Sequence, residues 1–206
     1  MQILVIGATG MIGSRVVAEA LRRGHRVTGA TRSGADGTKV VQASDPKAVA
    51  ELAKGHDAVV MAVSPPRDGS EPVGPFLADG RGVLTGTHDA RVGRLVIVGG
   101  AGSLEVAPGL PLMDTPDFPP AYRGEALAQA ALLDEVRKET NLDWTYLSPA
   151  PEIGPGERTG AYRLGGDQLM TGASGKSFIS AEDYAVALVD ILEKDLGVRQ
   201  RVSVVG

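Results

Sequence analysis

The chain has no cysteine. This excludes disulfides, thiolate metal sites and cysteine nucleophiles, and it fits a reducing compartment. Histidine is scarce: His25, His56 and His88 are scattered without metal-ligand spacing, so no metal site is expected. No basic excess exists either. The net charge of -4 gives no overall pull toward nucleic acid or an anionic membrane, and neither is expected as a partner. Long apolar runs are also missing. The opening MQILVIGATG has no basic leader and is too short and too glycine-rich for a signal peptide or a membrane span, so a cytoplasmic location is expected. Aromatic residues make up only 4% against 28 glycines, a balance that suits many tight turns and close backbone approaches. No repeat or low-complexity tract interrupts the chain. Its 206 residues, 43% hydrophobic and 22% charged, suffice for one soluble domain with a sizeable core.

What is present alternates between strand and helix. Residues 2–6 form a continuous apolar run, the mark of a strand buried on both faces. Residues 11–23 place Ile12, Val16, Val17, Ala20 and Leu21 on one helical face, and Gly24 stops the helix. Strands are expected at 25–31 and 39–43. Asp45-Pro46 then opens a helix that ends at Gly55, with Asp as cap and Pro in the first turn. Further strands are expected at 58–63, 94–98, 142–147 and 202–205. A Pro-rich loop at 64–75 leads into a weakly patterned helix to about Arg91. Residues 99–120, rich in Gly and Pro, read as a long loop, and 121–139 as a strong helix. After Pro149 the pattern loosens, until Ser180 caps a last helix with Asp183 three residues on. This βαβ alternation implies an α/β fold: a Rossmann-type doubly wound parallel sheet over residues 1–206, with 150–178 as a small C-terminal substrate-side lobe. Ligands of such sheets sit at the carboxyl ends of the strands.

The loop after the first strand reads Gly7-Ala8-Thr9-Gly10-Met11-Ile12-Gly13 and opens a helix directly. In that context Gly7 takes the tight turn, Gly10 lets backbone approach a pyrophosphate, and Gly13 lets helix and sheet pack closely. The first-turn N–H groups and the helix dipole then favour phosphate. The alternative is a bare strand–helix turn. At the end of the second strand stands Thr31-Arg32-Ser33, with no carboxylate near in sequence to take a ribose 2′-hydroxyl. Arg32 can pair with a 2′-phosphate and stack on adenine, and Ser33 can add a hydrogen bond. The expected cofactor is therefore NADP(H), with NAD(H) as the alternative. A solvated surface arginine is the bland reading of Arg32.

The GxxGxxG spacing of this turn resembles the extended and atypical branches of the short-chain dehydrogenase/reductase superfamily. Gly99-Gly100-Ala101-Gly102-Ser103-Leu104, Ser148-Pro149-Ala150, the run from Pro155 to Gly160, the run from Tyr162 to Asp167, and Ile179 to Ala185 are similar to the NADH-flavin reductase-like family, related to biliverdin reductase B and the NmrA-like proteins. The resemblance covers essentially the whole chain. It implies cofactor contacts from Gly7, Thr9, Gly10, Met11, Ile12, Gly13, Arg32, Ser33, Ala62, Val63, Gly99, Gly100, Ser148, Pro149 and Ala150. It places Ser103 beside the nicotinamide as the catalytic candidate, unless Ser103 is an ordinary turn serine. Arg158 is either a contact for an anionic substrate or a turn arginine, exposed or paired with Glu157.

The superfamily's Tyr-x-x-x-Lys pair is missing on either alignment: four after Tyr122 is Ala126, and the other anchor gives Ala126 and Ala130. Tyr122 then reads as an aromatic packing on the loop. The resemblance implies an NADPH-dependent reductase of a planar small-molecule acceptor, with flavin or quinone as substrate, acting as monomer or homodimer. A non-catalytic NADP(H) sensor of the NmrA-like kind is the alternative. An extended-branch isomerase is a third reading, which the missing pair disfavours.

Overall fold

The structure is a computed structural model, in which residues 1–66, 69–172 and 174–206 are described. Gln2–Ile6 forms β1, and its alternation divides the interior in two. Ile3 and Val5 point into one core, Leu4 and Ile6 into the other. Both faces of the strand are dry, as expected of a parallel sheet covered on both sides.

The chain continues through α1 (Met11–Arg22), β2 (Arg26–Thr31), β3 (Lys39–Val40), α2 (Pro46–Ala53), β4 (Ala58–Met61), α3 (Val73–Asp89) and β5 (Arg94–Val98). A hairpin of β6 (Glu105–Ala107) and β7 (Leu110–Pro111) follows, then α4 (Arg123–Val136), β8 (Asp143–Ser148), β9 (Glu152–Gly154), β10 (Arg163–Gly165), β11 (Phe178–Ser180), α5 (Ala181–Glu193) and β12 (Gln200–Val205). The main sheet runs β10-β12-β8-β5-β4-β1-β2-β3. Every pairing in it is parallel except β10 on β12. Helices α1 and α5 cover one face, and α2, α3 and α4 the other. This is the Rossmann-type α/β fold. The winding direction reverses between β1 and β4, so the crevice for ligands opens above the carboxyl ends of these two strands.

Local chemistry sets the boundaries. The Asp45 carboxylate accepts hydrogen bonds from the N–H groups of Lys47 and Ala48 at 3.0 and 3.2 Å, with Pro46 in the first turn of α2. Ser180 Oγ accepts from the Asp183 N–H at 2.9 Å and starts α5. Helix α3 begins at Val73, ahead of Pro75, because the Glu71 carboxylate takes the N–H groups of Val73 and Gly74. Arg67 and Asp68, within the Pro-rich loop before it, lie outside the described residues. The weak pattern of α3 has a cause in packing: a Cβ at Gly82 would lie 2.1 Å from the Ala43 carbonyl oxygen, so close approach to the α2 entry replaces an apolar stripe.

Two sequence expectations change, and a third gains detail. The third strand pairs only over Lys39–Val40, although Val41 and Ala43 remain buried. Residues 99–120 are not an unstructured loop, since they contain the β6–β7 hairpin and a short 3₁₀ turn at Leu112–Asp114. Within 150–178, where Ala173 lies outside the described residues, β10 joins the edge of the main sheet and β9 pairs with β11.

Candidate dinucleotide site

The turn after β1 is built so that its glycines do different work. Gly7 adopts φ +90°, and a Cβ there would meet the Ala62 carbonyl oxygen at 2.4 Å. A Cβ on Gly13 would meet the Gly7 carbonyl oxygen at 2.1 Å. Both positions are closed to other residues by the fold itself. Gly10 differs. Its φ of -69° suits any residue, and a Cβ would come no nearer than 3.4 Å to its neighbours. Its bareness is left for something outside the chain. Gly10 is also the N-cap of α1, which has no side-chain cap and no acidic residue in its first turn. The N–H groups of Met11, Ile12 and Gly13 are therefore at an electropositive end with no side chain to satisfy them. An uncapped helix start and an empty space above a glycine both fit a dinucleotide's pyrophosphate.

The neighbouring strand ends converge on this turn. Gly7 and Ala8 donate to the Ala30 carbonyl at 2.8 and 3.2 Å, which joins the turn to the end of β2. Gly7 lies against Ala62 and Val63, the residues that follow β4. Gly99 donates to the Leu147 carbonyl at 2.9 Å, linking the end of β5 to β8. The Tyr146 hydroxyl, fully buried, donates toward Gln129 and accepts from the Gly100 N–H at 3.2 Å. Burial holds the phenol well above its ordinary pKa, so it stays neutral. Gly99 and Gly100 are thus fixed from beneath. Ser148, Pro149 and Ala150, at the end of the neighbouring β8, are buried, and Ser148 Oγ has no hydrogen-bond partner among the described residues.

The end of β2 departs from the sequence reading. Arg32 and Ser33 are exposed where expected, but carboxylates are close by. Asp79 of α3 is near enough for the Arg32 charge to favour its ionised form, while partial burial raises its pKa overall. Asp36 lines a groove beside the turn with Ala8, Thr9, Ser14 and Thr38.

Ser103 is not gathered with these residues. It lines a separate pocket of about 290 Å³ with Glu105, Met113, Leu133, Asp134 and Arg201, and no residue of the glycine turn borders that pocket. Its Oγ accepts from Arg201 at 3.4 Å and its carbonyl from the same guanidinium at 3.2 Å. Arg201, buried, is held by Asp167 at 2.7 Å. Arg158 is an exposed turn arginine, but its partner is not Glu157. It donates twice to Glu19 of α1, at 2.8 and 2.9 Å. Tyr122 is 60% exposed, so it does not pack on the loop. Ala126, at one of the positions aligned with the Tyr-x-x-x-Lys pair, is covered by the β5–β6 loop: a Cβ on Gly102 would lie 2.5 Å from the Ala126 Cβ.

A family model described as NAD(P)H-binding matches residues 7–195, nearly the entire chain. The chain belongs to this NAD(P)H-binding family. Among family relatives, the uncharacterised Bacillus subtilis protein YwnB is 39% identical, with 100% of this chain and 98% of that protein aligned. A solved structure from Burkholderia pseudomallei, provisionally named an exported protein, is 42% identical, with a TM-score of 0.90 and full coverage of both chains. One from Streptococcus pneumoniae, provisionally named an NADH-flavin reductase, is 35% identical, with a TM-score of 0.84 over 100% of this chain and 99% of that one. The NAD(P)H-binding assignment agrees with the turn geometry, and a nicotinamide nucleotide is the cofactor class. Among the described residues no helix is long and apolar enough to cross a membrane, and no group of His, Asp or Glu could hold a metal ion.

Several groups at the site escaped the sequence reading. The Tyr146–Gln129–Gly100 linkage joins three elements and leaves no local signal. Asp36 did leave one: Gly34-Ala35-Asp36-Gly37 carries two glycines in a short span, a signature of a chain that doubles back.

Proposed function

We propose that the chain is an NADPH-dependent reductase of a planar acceptor such as a flavin or quinone. The observation that carries this reading is the make-up of the crevice. Gly7–Gly13, Ala62–Val63 and Gly99–Gly100 offer backbone and small apolar groups, and none of these residues carries an ionisable side chain. Such walls can hold two flat rings face to face, but they cannot deliver a proton. When bound, the reduced nicotinamide supplies the hydride.

The rest is positioning. The first-turn N–H groups of α1 hold the pyrophosphate. Arg32 pairs with a 2′-phosphate. The Tyr146 hydroxyl keeps the Gly99–Gly100 backbone in place as a wall. An acceptor that takes its proton from solvent needs no Tyr-x-x-x-Lys pair, in keeping with Ala126 and Ala130 at those positions. The provisional name of the Streptococcus pneumoniae relative agrees with this acceptor class. Ser103, in its own pocket, has no part in it. The cytoplasm is the proposed location.

Steady-state oxidation of NADPH with FMN and with a small quinone tests the proposal. Turnover with either supports it. Tight NADP binding with no turnover across flavins, quinones and simple aldehydes overturns it in favour of a nucleotide sensor.

A further inference from the structure

Beside the glycine turn lies a groove of about 380 Å³. Ala8, Thr9 and Ser14 form one wall, and the loop after β2 forms the other, with Asp36 and Thr38. That loop has a fixed shape. Gly34, Asp36 and Gly37 all adopt left-handed backbone, with φ of 70°, 53° and 74°. Aspartate is one of the few residues with a side chain that visits this region readily. Three left-handed residues within four positions turn the chain back on itself. The turn is tied off by the Thr31 and Thr38 hydroxyls, 2.7 Å apart, while Thr31 Oγ1 also accepts from the Gly34 N–H at 3.0 Å. Asp36 is therefore carried back to the turn, instead of trailing away from the strand end.

The groove's polar side chains are three hydroxyls and one carboxylate, with no cation among its lining residues. Arg32, the cation at the strand end, is not part of the lining, and its charge acts on Asp79 of α3. In dinucleotide folds the ribose 2′ position lies between the glycine turn and the end of the second strand, the two elements that bound this groove. A carboxylate there accepts a hydrogen bond from a ribose hydroxyl and repels a 2′-phosphate.

We propose that Asp36 is a specificity-determining residue for the nucleotide, favouring the free 2′-hydroxyl of NADH and opposing the 2′-phosphate of NADPH. This rests on the nicotinamide-dependent reading above and deepens it. Arg32 and Asp36 act in opposite directions on the same substituent, so the chain accepts both nucleotides and the preference for NADPH is held small.

The test is titration of NADH and NADPH against the full chain, as wild type, Asp36→Asn and Asp36→Gly. Asn keeps the shape and removes the charge, and Gly suits the same left-handed backbone. Both variants should bind NADPH about three- to thirtyfold more tightly, the scale of removing one charge repulsion at a solvent-exposed site, without tightening NADH. The gain should shrink at about 1 M salt, where the screening length is about 3 Å. NADPH affinity unchanged in both variants, or equal gains for the two nucleotides, overturns the role of Asp36 and leaves the reductase reading intact. Failure of the wild type to bind either nucleotide overturns both.

Discussion

Arg158 and Glu19 lie 139 residues apart in sequence and meet in a two-point ion pair on α1. Glu19 is 4% exposed and also takes Arg22 and Arg23 from its own helix. Arg23 continues to Asp190 and Glu193 of α5. The Tyr162 hydroxyl donates to Asp190, and Thr159 donates to Asp183. Irregular segment 155–162 is thereby strapped along both helices.

The strap makes stability depend on acid. Hydrogen bonds from Arg22 and Arg158 hold the Glu19 carboxyl far below its ordinary value of 4.5. Burial pushes Asp190 up, but Tyr162, Arg23 and Lys194 outweigh it and bring it to about 2. A carboxylate whose pKa falls on folding contributes stability above its unfolded value, and the contribution vanishes as pH drops through the folded value. The melting temperature should therefore fall as pH drops from 4.5 toward 2. Glu19→Gln should lose about 3 kcal/mol at neutral pH, because three arginines are left short of their counter-charge, and should show a flatter acid limb. Thermal melts across pH measure both. An unchanged melt at pH 7 would contradict the strap's energetic role.

The three glycines of the turn separate fold from binding. Gly13→Ala should destabilise the protein by several kcal/mol, roughly the upper range for overpacking, since its Cβ would overlap the Gly7 carbonyl. Gly10→Val should remain folded, within about 1 kcal/mol of wild type, yet lose nucleotide binding. Circular-dichroism melts and calorimetry with NADP distinguish the two effects. Retained binding in Gly10→Val would remove the phosphate from this turn.

Arg32→Ala should weaken NADPH by about ten- to a hundredfold and leave NADH nearly unchanged, the size of one charge-assisted pair. Fluorescence titration of both reduced nucleotides reads this directly. An equal loss for both would make Arg32 an adenine-stacking group and not a phosphate partner.

Ser103→Ala and Tyr122→Phe should both keep NADPH oxidation with FMN or a quinone within about threefold of wild type, far from the loss expected of a proton donor. Ser103 contacts Arg201 in a different pocket, and Tyr122 stands in solvent. A hundredfold loss in either would restore that residue to the chemistry.

Much of the fold was legible because its signals are local. The apolar run 2–6, the Asp45 and Ser180 caps, and the glycine turn each declare themselves within a few residues, and the structure has them where expected. The misreadings needed information from across the chain. Arg158 was weighed against Glu157 and solvent, but its partner is on α1. Ser103 was assigned from the resemblance, and its contact with Arg201, 98 positions on, left no mark in the sequence. Asp36 was passed over because an acid was sought at the strand end, and left-handed glycines brought one back from farther along. Tertiary partners, unlike periodicity, have no sequence spacing to read.

The strap also bears on how the molecule comes apart. Residues 155–161 are exposed and lack regular secondary structure, the usual description of a protease site. Yet a protease must pull its target into an extended form, and here that requires Arg158, Thr159 and Tyr162 to let go of α1 and α5 together. The native protein should resist nicking in this stretch despite its openness. Glu19→Gln should turn it into an early cut. Cleavage there would then report on one ion pair and leave the rest of the sheet undisturbed.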